Sequence, residues 1–461
     1  FKTKKMKKFL GTMLLVTACQ TMFAQSIQKD SVQLPPLEVR AIRASERAPF
    51  AKQNLTKTEI QKNNLGPDLP FLLNQTPSVV VQSDAGNGIG YTGIRIRGTD
   101  ATRINVTING VAYNDAESMG TFLVNLPDFA SSVSSIQIQR GVGGSSNGPS
   151  AFGASINLST HELNEKAYFS TSNSAGSFGT LKNTIQFGSG LINKYFTIDA
   201  RLSSIKSDGY IDRAFSDLRS YYVSGAYIRG KSSLRFTTFS GKEKTYQAWY
   251  GVPASELANN RTFNPAGSEK SGEPYNNQTD NYTQTHYQLF FNHQLAKNLD
   301  LQVTNYYTKG AGYYEEYKAD QRLSRYGIPT INIGTIAHTR SDLVRRRWLD
   351  NDFYGQNVSL QYKKNDEEIS FGGGWSTYTG KHFGEVIWLE KANAFSPKRY
   401  YDLPAIKKEA NMYAKWQHSW ATNFTSYIDL QYRNVSHRMD GFHNNPTLNI
   451  NRSFGFFNPK I

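Results

Sequence analysis

The chain has 461 residues, 38% of them hydrophobic, with 27 Tyr, 27 Phe and a formal net charge of +15. This is far longer than one ordinary soluble domain of roughly 100–200 residues, and past residue 25 it holds no apolar run of the ~20 residues that a membrane helix needs. The basic balance does not point to nucleic acid: Lys2, Lys4, Lys5, Lys7 and Lys8 sit at the extreme start, and the remaining Lys and Arg are scattered apart from Arg345, Arg346 and Arg347. A basic lumen, or outer loops facing lipopolysaccharide phosphates or an anionic ligand, fits that pattern. A polar chain rich in Tyr and Phe suits a transmembrane β-barrel with a wet lumen, an apolar lipid face and aromatic girdles; a soluble all-β protein shares that composition.

In chain order, residues 1–24 read as a signal peptide. Lys4, Lys5, Lys7 and Lys8 precede an apolar stretch from Phe9 to Ala18, and Ala24 is a small residue suited to cleavage. Val16-Thr17-Ala18-Cys19 is a competing lipoprotein-type site. Cys19 is the chain's one cysteine, so a cleaved chain is expected to have no thiol, no disulfide and no Cys-based metal site. The start on Phe1, with Met6 the natural initiator, suggests a fragment. Residues 25–50, with Pro35, Pro36 and Pro49, read as an extended arm, because Pro lacks an N–H and disfavours helix before it.

Residues 51–160 have a compact α+β texture. A helix is expected within 59–74, around Leu69, Phe71, Leu72 and Leu73, followed by short strands at 78–82, 93–97, 104–108, 135–139 and 155–158. Asn109-Gly110 between apolar runs marks a tight turn. From 161 to 461 the pattern becomes long alternation. Val358, Leu360 and Tyr362 alternate with Asn357, Ser359, Gln361 and Lys363; Ile428, Leu430 and Tyr432 alternate with Asp429, Gln431 and Arg433; Leu299, Leu301 and Val303 alternate with Asp300, Gln302 and Thr304. Such strands have one apolar and one polar face. Short turns at 297–298 and 365–366, against long loops at 251–279, 320–347 and 390–408, follow the outer-membrane arrangement. About eleven strands are expected, and a barrel in lipid must close.

Chemical motifs are sparse. His286 with His293, and His437 with His443, lack the spacing of a helical zinc motif. There is no Gly-x-Ser-x-Gly elbow, and the loop from Gly143 to Gly148 lacks the Lys of a phosphate-binding loop. The chain is read as non-enzymatic, with no catalytic residues, cofactor or metal.

Gln75-Thr76-Pro77-Ser78-Val79, Ile94-Arg95-Ile96-Arg97-Gly98-Thr99-Asp100, Asn105-Val106-Thr107-Ile108-Asn109-Gly110, Ile136-Gln137-Ile138-Gln139-Arg140-Gly141 and Phe152-Gly153-Ala154-Ser155-Ile156-Asn157-Leu158 follow one another in order. Together they resemble the plug of TonB-dependent outer-membrane receptors, and Lys244 to Gly251 resembles an early barrel strand of that family. The resemblance implies a mainly β fold, a transmembrane antiparallel β-barrel of 22 strands, partial here, with an N-terminal α+β plug. It implies import of a ferric siderophore, haem or cobalamin, driven by the energy-coupling protein TonB, and weakly disfavours the glycan-importing branch because no large domain separates leader from plug. Leu37, Glu38, Val39, Arg40 and Ala41 then stand as the TonB-binding segment, pairing strand to strand, although Arg40 departs from the usual small and β-branched run. Arg97 and Arg140 resemble plug arginines that meet acidic barrel residues, where a guanidinium holds a carboxylate bidentately; the family usually has Glu at Gln137 or Gln139. The expected ligand-binding loops are 84–91 and 113–119, with Asn87, Tyr91, Tyr113, Asn114 and Asp115. Tyr246, Trp249, Tyr250, Tyr313, Tyr314 and Tyr317, the last three beside Glu315 and Glu316, are further aromatic candidates. The expected surroundings are outer-membrane lipid and lipopolysaccharide.

Overall fold

The computed structural model describes residues 43–45, 48–422 and 424–461. The leader with Cys19, and Leu37, Glu38, Val39, Arg40 and Ala41, lie outside the described residues.

Folding of the inner domain begins with a reciprocal cap. Thr56 N–H donates to the Glu59 carboxylate at 2.8 Å, while Thr56 Oγ1 accepts from Glu59 N–H. This capping box satisfies two donors that a helix start leaves orphaned, and α1 (Lys57–Asn63) follows. The short helix expected within 59–74 around Leu69 to Leu73 is preceded by α1, and the two are separated at Gly66, with φ +156°, and Pro67. Helix α2 (Leu69–Leu72) then starts with Pro70 in its first turn, where a missing N–H costs no helical bond.

The domain's strands are β1 (Ala51–Thr56), β2 (Val79–Ser83), β3 (Thr92–Ile96), β4 (Ile104–Ile108), β5 (Val111–Ala112), β6 (Ser135–Arg140) and β7 (Ala154–Ser159). Five of them form a sheet in the order β1-β6-β7-β4-β5, with β4 and β7 parallel, while β2 and β3 form a separate hairpin. Asn109 and Gly110, at φ 53° and 85°, make the tight turn from β4 to β5. Every residue of β4 and β7 is buried. Ile104, Val106, Ile136, Ile138, Ile156 and Leu158 form the core of this sheet, each contributing on the order of 1.5–3 kcal/mol by leaving water.

Twelve strands surround this domain as one antiparallel sheet: β8 (Ala167–Gly176), β9 (Thr180–Ser189), β10 (Phe196–Ser207), β11 (Ser216–Arg229), β12 (Ser232–Tyr246), β13 (Thr279–Ala296), β14 (Leu299–Arg322), β17 (Arg340–Lys364), β18 (Glu367–Leu389), β19 (Lys398–Ala421), β20 (Phe424–Phe442) and β21 (Asn445–Lys460). A small hairpin, β15 (Ile331–Ile333) and β16 (Ile336–His338), tops the β14–β17 connection. Neighbours pair in chain order, and β8 and β21 are the two edges. The faces are inverted relative to a soluble sheet. On β12, Arg235, Thr237 and Glu243 are buried against the inner domain, while Leu234 and Phe236 are exposed on the outside. Apolar-out and polar-in is the barrel pattern of a sheet that meets lipid.

Strands β14, β17, β18 and β19 run for 23 to 25 residues, although about 10 suffice to cross the hydrocarbon. Two of the expected long loops are therefore largely strand: the described loops there are 323–339 and 390–397, and only 247–278 stays long. The extension is held by cross-strand ion pairs outside the apolar band, Arg345 to Glu316 at 2.9 Å and Arg346 to Glu315 at 2.8 Å, and by a small core containing Leu323, Tyr326, Ile328 and Leu343. The connections 190–195, 230–231, 297–298 and 365–366 lie on the opposite, short-turn rim.

Candidate functional site

Towards the long-loop rim, a cavity of about 450 Å³ lies between the inner domain and the wall. The inner domain supplies its floor through two loops. The first, 84–91, joins β2 to β3 and turns on Gly86, Gly88 and Gly90, all at positive φ. It lifts Tyr91 to hydrogen-bond Asp280 and to meet the Trp249 ring edge-on at 5.3 Å. The second, 113–119, is folded by Asp115, whose Oδ1 accepts from Glu117 N and Ser118 N at 3.1 and 2.7 Å. Tyr113 from this loop donates to Phe122 O at 2.7 Å and lines the same cavity.

The wall contributes Trp249, Tyr282, Tyr313, Tyr314, Trp348 and Tyr401, which gives broad apolar faces carrying polar edges. Of the three consecutive arginines, Arg345 and Arg346 are neutralised by Glu316 and Glu315. Arg347 has no carboxylate partner among the described residues; its Nη1 donates to Tyr314 Oη at 2.6 Å, and its buried Nε has no acceptor. The buried indole N–H of Trp348 beside it is likewise unpaired. Unpaired buried donors are costly, so this corner is prepared for an acceptor-bearing guest. On the far side of the cavity the acceptors are Asp280, Glu243 and Asp115.

Charge ties the inner domain to the wall at the second loop, where Glu117 meets His382 at 3.0 Å and accepts from Tyr378 Oη at 2.8 Å, and at two places below the cavity. Asp128, in the left-handed region at φ 51° that Asp tolerates, is met by Lys182 Nζ at 2.6 Å and Arg201 Nη1 at 3.3 Å. Thr184 Oγ1 also donates to its carboxylate, at 2.6 Å. Burial alone would raise the Asp128 carboxyl, but Arg201 and Lys182 outweigh it and hold the group well below the usual carboxylate range. On the other side, the loop that lacks a phosphate-binding Lys docks onto a barrel carboxylate. Ser145 N–H donates to Asp429 Oδ2 at 2.8 Å, and Lys460 lies 3.5 Å from the same oxygen.

Residues 44–155 match the family model described as the TonB-dependent Receptor Plug Domain. The chain carries a TonB-dependent receptor plug. A search of the curated proteins finds no match. Solved structures share the fold of plug and wall together. The ferric-catecholate import receptor Fiu of E. coli K12 in its closed form aligns at TM-score 0.66 with 14% identity over 92% of this chain and 64% of its own. The siderophore receptor PiuA of Acinetobacter baumannii aligns at 0.65 with 10% identity over 92% of this chain and 64% of its own. The copper transporter OprC aligns at 0.66 with 13% identity over 92% and 61%. This chain thus spans 61–64% of the length of these structures.

Of the plug residues singled out from sequence, Tyr91, Tyr113 and Asp115 come together at the cavity. Asn114 does not: its side chain turns into the plug, accepting from Val106 N at 2.8 Å and donating to Ile104 O at 2.9 Å. Asn87 donates to Ser207 Oγ at 2.7 Å and acts as a plug–wall contact. Arg97 is exposed at φ 52°, and Arg140 donates within the plug to Pro77 O at 3.4 Å; neither meets a wall carboxylate among the described residues. The buried plug–wall ion pairs have the opposite polarity at Asp128, an acid on the plug and cations on the wall. Sequence reasoning passed over Asp128, Trp348 and Asp280. The Arg345 to Arg347 run was visible, but only strand register shows which of the three is left unpaired. Trp249, Tyr313 and Tyr314 line the cavity, whereas Tyr246 and Tyr317 are buried elsewhere and Tyr250 is exposed.

Proposed function

We propose that this chain serves an outer-membrane receptor that captures a scarce nutrient complex, a ferric siderophore, haem or cobalamin, and imports it past the plug with energy delivered by TonB. Domain roles follow: a signal peptide at 1–24, a periplasmic arm at 25–50 with Leu37 to Ala41 as the TonB-binding segment, the plug at 51–160 and the barrel wall at 161–461. The observation that carries the reading is the outer cavity, floored by plug loops through Tyr91, Tyr113 and Asp115 and walled by aromatics, with an Arg347 that hydrogen-bonds Tyr314 and has no carboxylate partner among the described residues. Aromatic faces beside a guanidinium whose charge is not neutralised suit a flat or conjugated ligand bearing an anionic oxygen. The site binds and orients; no bond is made or broken, and we read the protein as non-enzymatic, without cofactor or resident metal. A carrier in a membrane without ATP needs a mechanical partner, and an extended arm suits strand addition to one.

The test is accumulation by cells whose sole iron or corrinoid source is supplied as a labelled complex. Deleting residues 37–41 is expected to abolish uptake while leaving surface binding intact. Binding that never becomes uptake, even in the intact receptor, favours the second reading, a signalling receptor that does not transport. Uptake of glycans or peptides in place of these complexes would assign the protein to another importing branch.

A further inference from the structure

The outer cavity is charged unequally from end to end. Three carboxylates line it, Asp115, Glu243 and Asp280, against the Arg347 guanidinium and the His382 ring. Asp115 is occupied in capping its own loop, and His382 is taken by Glu117 at 3.0 Å. That leaves Glu243 and Asp280 facing Arg347. Strand register sets how far apart they stand. Asp280 on β13 pairs with Tyr314 on β14, and Tyr314 pairs in turn with Arg347 on β17. The three form one cross-strand row, so the acid and the guanidinium are two strand spacings apart, about 10 Å along the wall. Glu243 on β12 pairs with Tyr282, two residues from Asp280, which puts both acids on one face of the sheet as diagonal neighbours.

The acid end holds acceptors without a cation. Glu243 is 1% exposed, and neither it nor Asp280 forms an ion pair among the described residues; their side-chain partners are hydroxyls, Thr245 Oγ1 at 3.4 Å for Glu243 and Tyr91 Oη for Asp280. The plug adds a third acceptor. Asn125 lines the cavity at 6% exposure, and its buried amide oxygen has no donor. It sits on this flank because Gly241 of β12 has no side chain: a Cβ there would stand 2.1 Å from Asn125 O. The nearby phenols give no relief, since Tyr91 donates to Asp280 and Tyr282 to Asn351 Oδ1 at 2.7 Å. Buried acceptors without donors, and buried carboxylates without cations, are costly. A guest that brings N–H groups and positive charge removes that cost. The walls around the acids are the rings of Tyr91, Trp249 and Tyr282, the first two edge-on at 5.3 Å. Carboxylates set among aromatic faces hold an alkylammonium or amidinium group by charge and by cation–π attraction together.

We propose that the cavity selects a cargo with two poles: a cationic nitrogen group seated at Glu243, Asp280 and Asn125, and an acidic oxygen held by Arg347, with a flat body spanning Tyr314 between them. This rests on the cavity being the capture site of the import reading above, and it narrows the cargo. A complex whose charged groups are all anionic meets two carboxylates at the β12–β13 end and is disfavoured there by like charge. An amine-bearing chelate with a free acid group satisfies both ends.

Three dyes on one flat xanthene frame test this without the natural cargo. A rhodamine with a free carboxylate carries both poles, its methyl ester carries only the cation, and fluorescein carries only acid groups. Fluorescence anisotropy with the receptor in detergent at neutral pH is expected to give the free-acid rhodamine a dissociation constant at least tenfold below those of the other two. Glu243→Gln with Asp280→Asn should remove its preference over fluorescein, and Arg347→Ala its preference over the ester. The comparison in the unmutated receptor stands whether or not a variant folds: fluorescein or the ester binding as tightly as the free-acid rhodamine, or no binding of any of the three, overturns the two-pole seat. So does a preference over fluorescein that survives the paired Gln and Asn changes in a receptor whose plug stays protease-resistant. Uptake separates this from the import reading. Lost preference with energy-dependent accumulation of a labelled iron or corrinoid complex intact overturns the seat alone, whereas a firm preference with no accumulation of any such complex overturns import.

Discussion

Asp128 is a buried carboxylate held between two buried cations. Its side chain is fully buried with Lys182 and Arg201, both nearly so. Removing one member of such a cluster strands the rest in a low-dielectric site, at a cost of roughly 3–5 kcal/mol. Asp128→Asn is therefore expected to lower the denaturant midpoint of plug unfolding by that order, read from loss of protease protection of the plug in detergent. The pH sign follows from the depressed carboxyl. A group whose pKa is lowered by folding stabilises fully above its unfolded value, near 3.9, and loses that contribution only as pH falls through the folded value. The gap between wild type and Asp128→Asn should thus be the same at pH 7 and pH 5 and begin to close only below about pH 4. Arg347 is the counterpart in the cavity. Arg347→Ala should weaken binding of an anionic ligand by about 1.5–3 kcal/mol, the value of a charge-assisted bond, with fold and surface expression unchanged. An unaltered dissociation constant for the cognate complex would remove Arg347 from the site.

Gly241 decides at the level of elements whether the plug seats on β12. Its missing side chain admits the 125–127 turn, since a Cβ would also stand 2.7 Å from Pro127 Cδ. Gly241→Val should loosen the plug by about 1–3 kcal/mol of overpacking while the wall, whose outward residues are untouched, keeps its heat resistance on gels. The sequence displayed most of these elements. Alternation marked β14, β17 and β20, and Asn109-Gly110 marked the β4–β5 turn. It concealed strand length: the outer part of β14, Tyr313-Tyr314-Glu315-Glu316-Tyr317-Lys318, puts similar residues on both faces, and β17 and β18 there carry runs such as Arg345-Arg346-Arg347 and Val386-Ile387-Trp388-Leu389, where alternation no longer discriminates. It gave little sign of α1, whose one buried residue is Ile60, whereas Leu69, Phe71, Leu72 and Leu73 beyond Gly66-Pro67 announced α2. The site was half legible for the same reason. Aromatics and glycines announce loops, whereas the pairing that frees Arg347 and the burial that isolates Asp128 arise from contacts between residues tens of positions apart.

For the molecule as a whole, the sheet has two unpaired edges, β8 and β21, among the described residues. Unsatisfied backbone groups are not tolerated in hydrocarbon, and open edges template association.

The hairpin of β15 and β16 stands furthest along the chain's tallest strands, with Ile333 and Ile336 exposed and Gly334 at its turn free of neighbours within 4 Å. Between it and the cavity lies the small core of Leu323, Tyr326 and Ile328. Under the proposed function, an epitope at this tip is separated from the ligand cavity. An epitope tag grafted at Gly334 is expected to be displayed at the surface of intact cells without altering ligand binding, read by antibody labelling beside a binding assay.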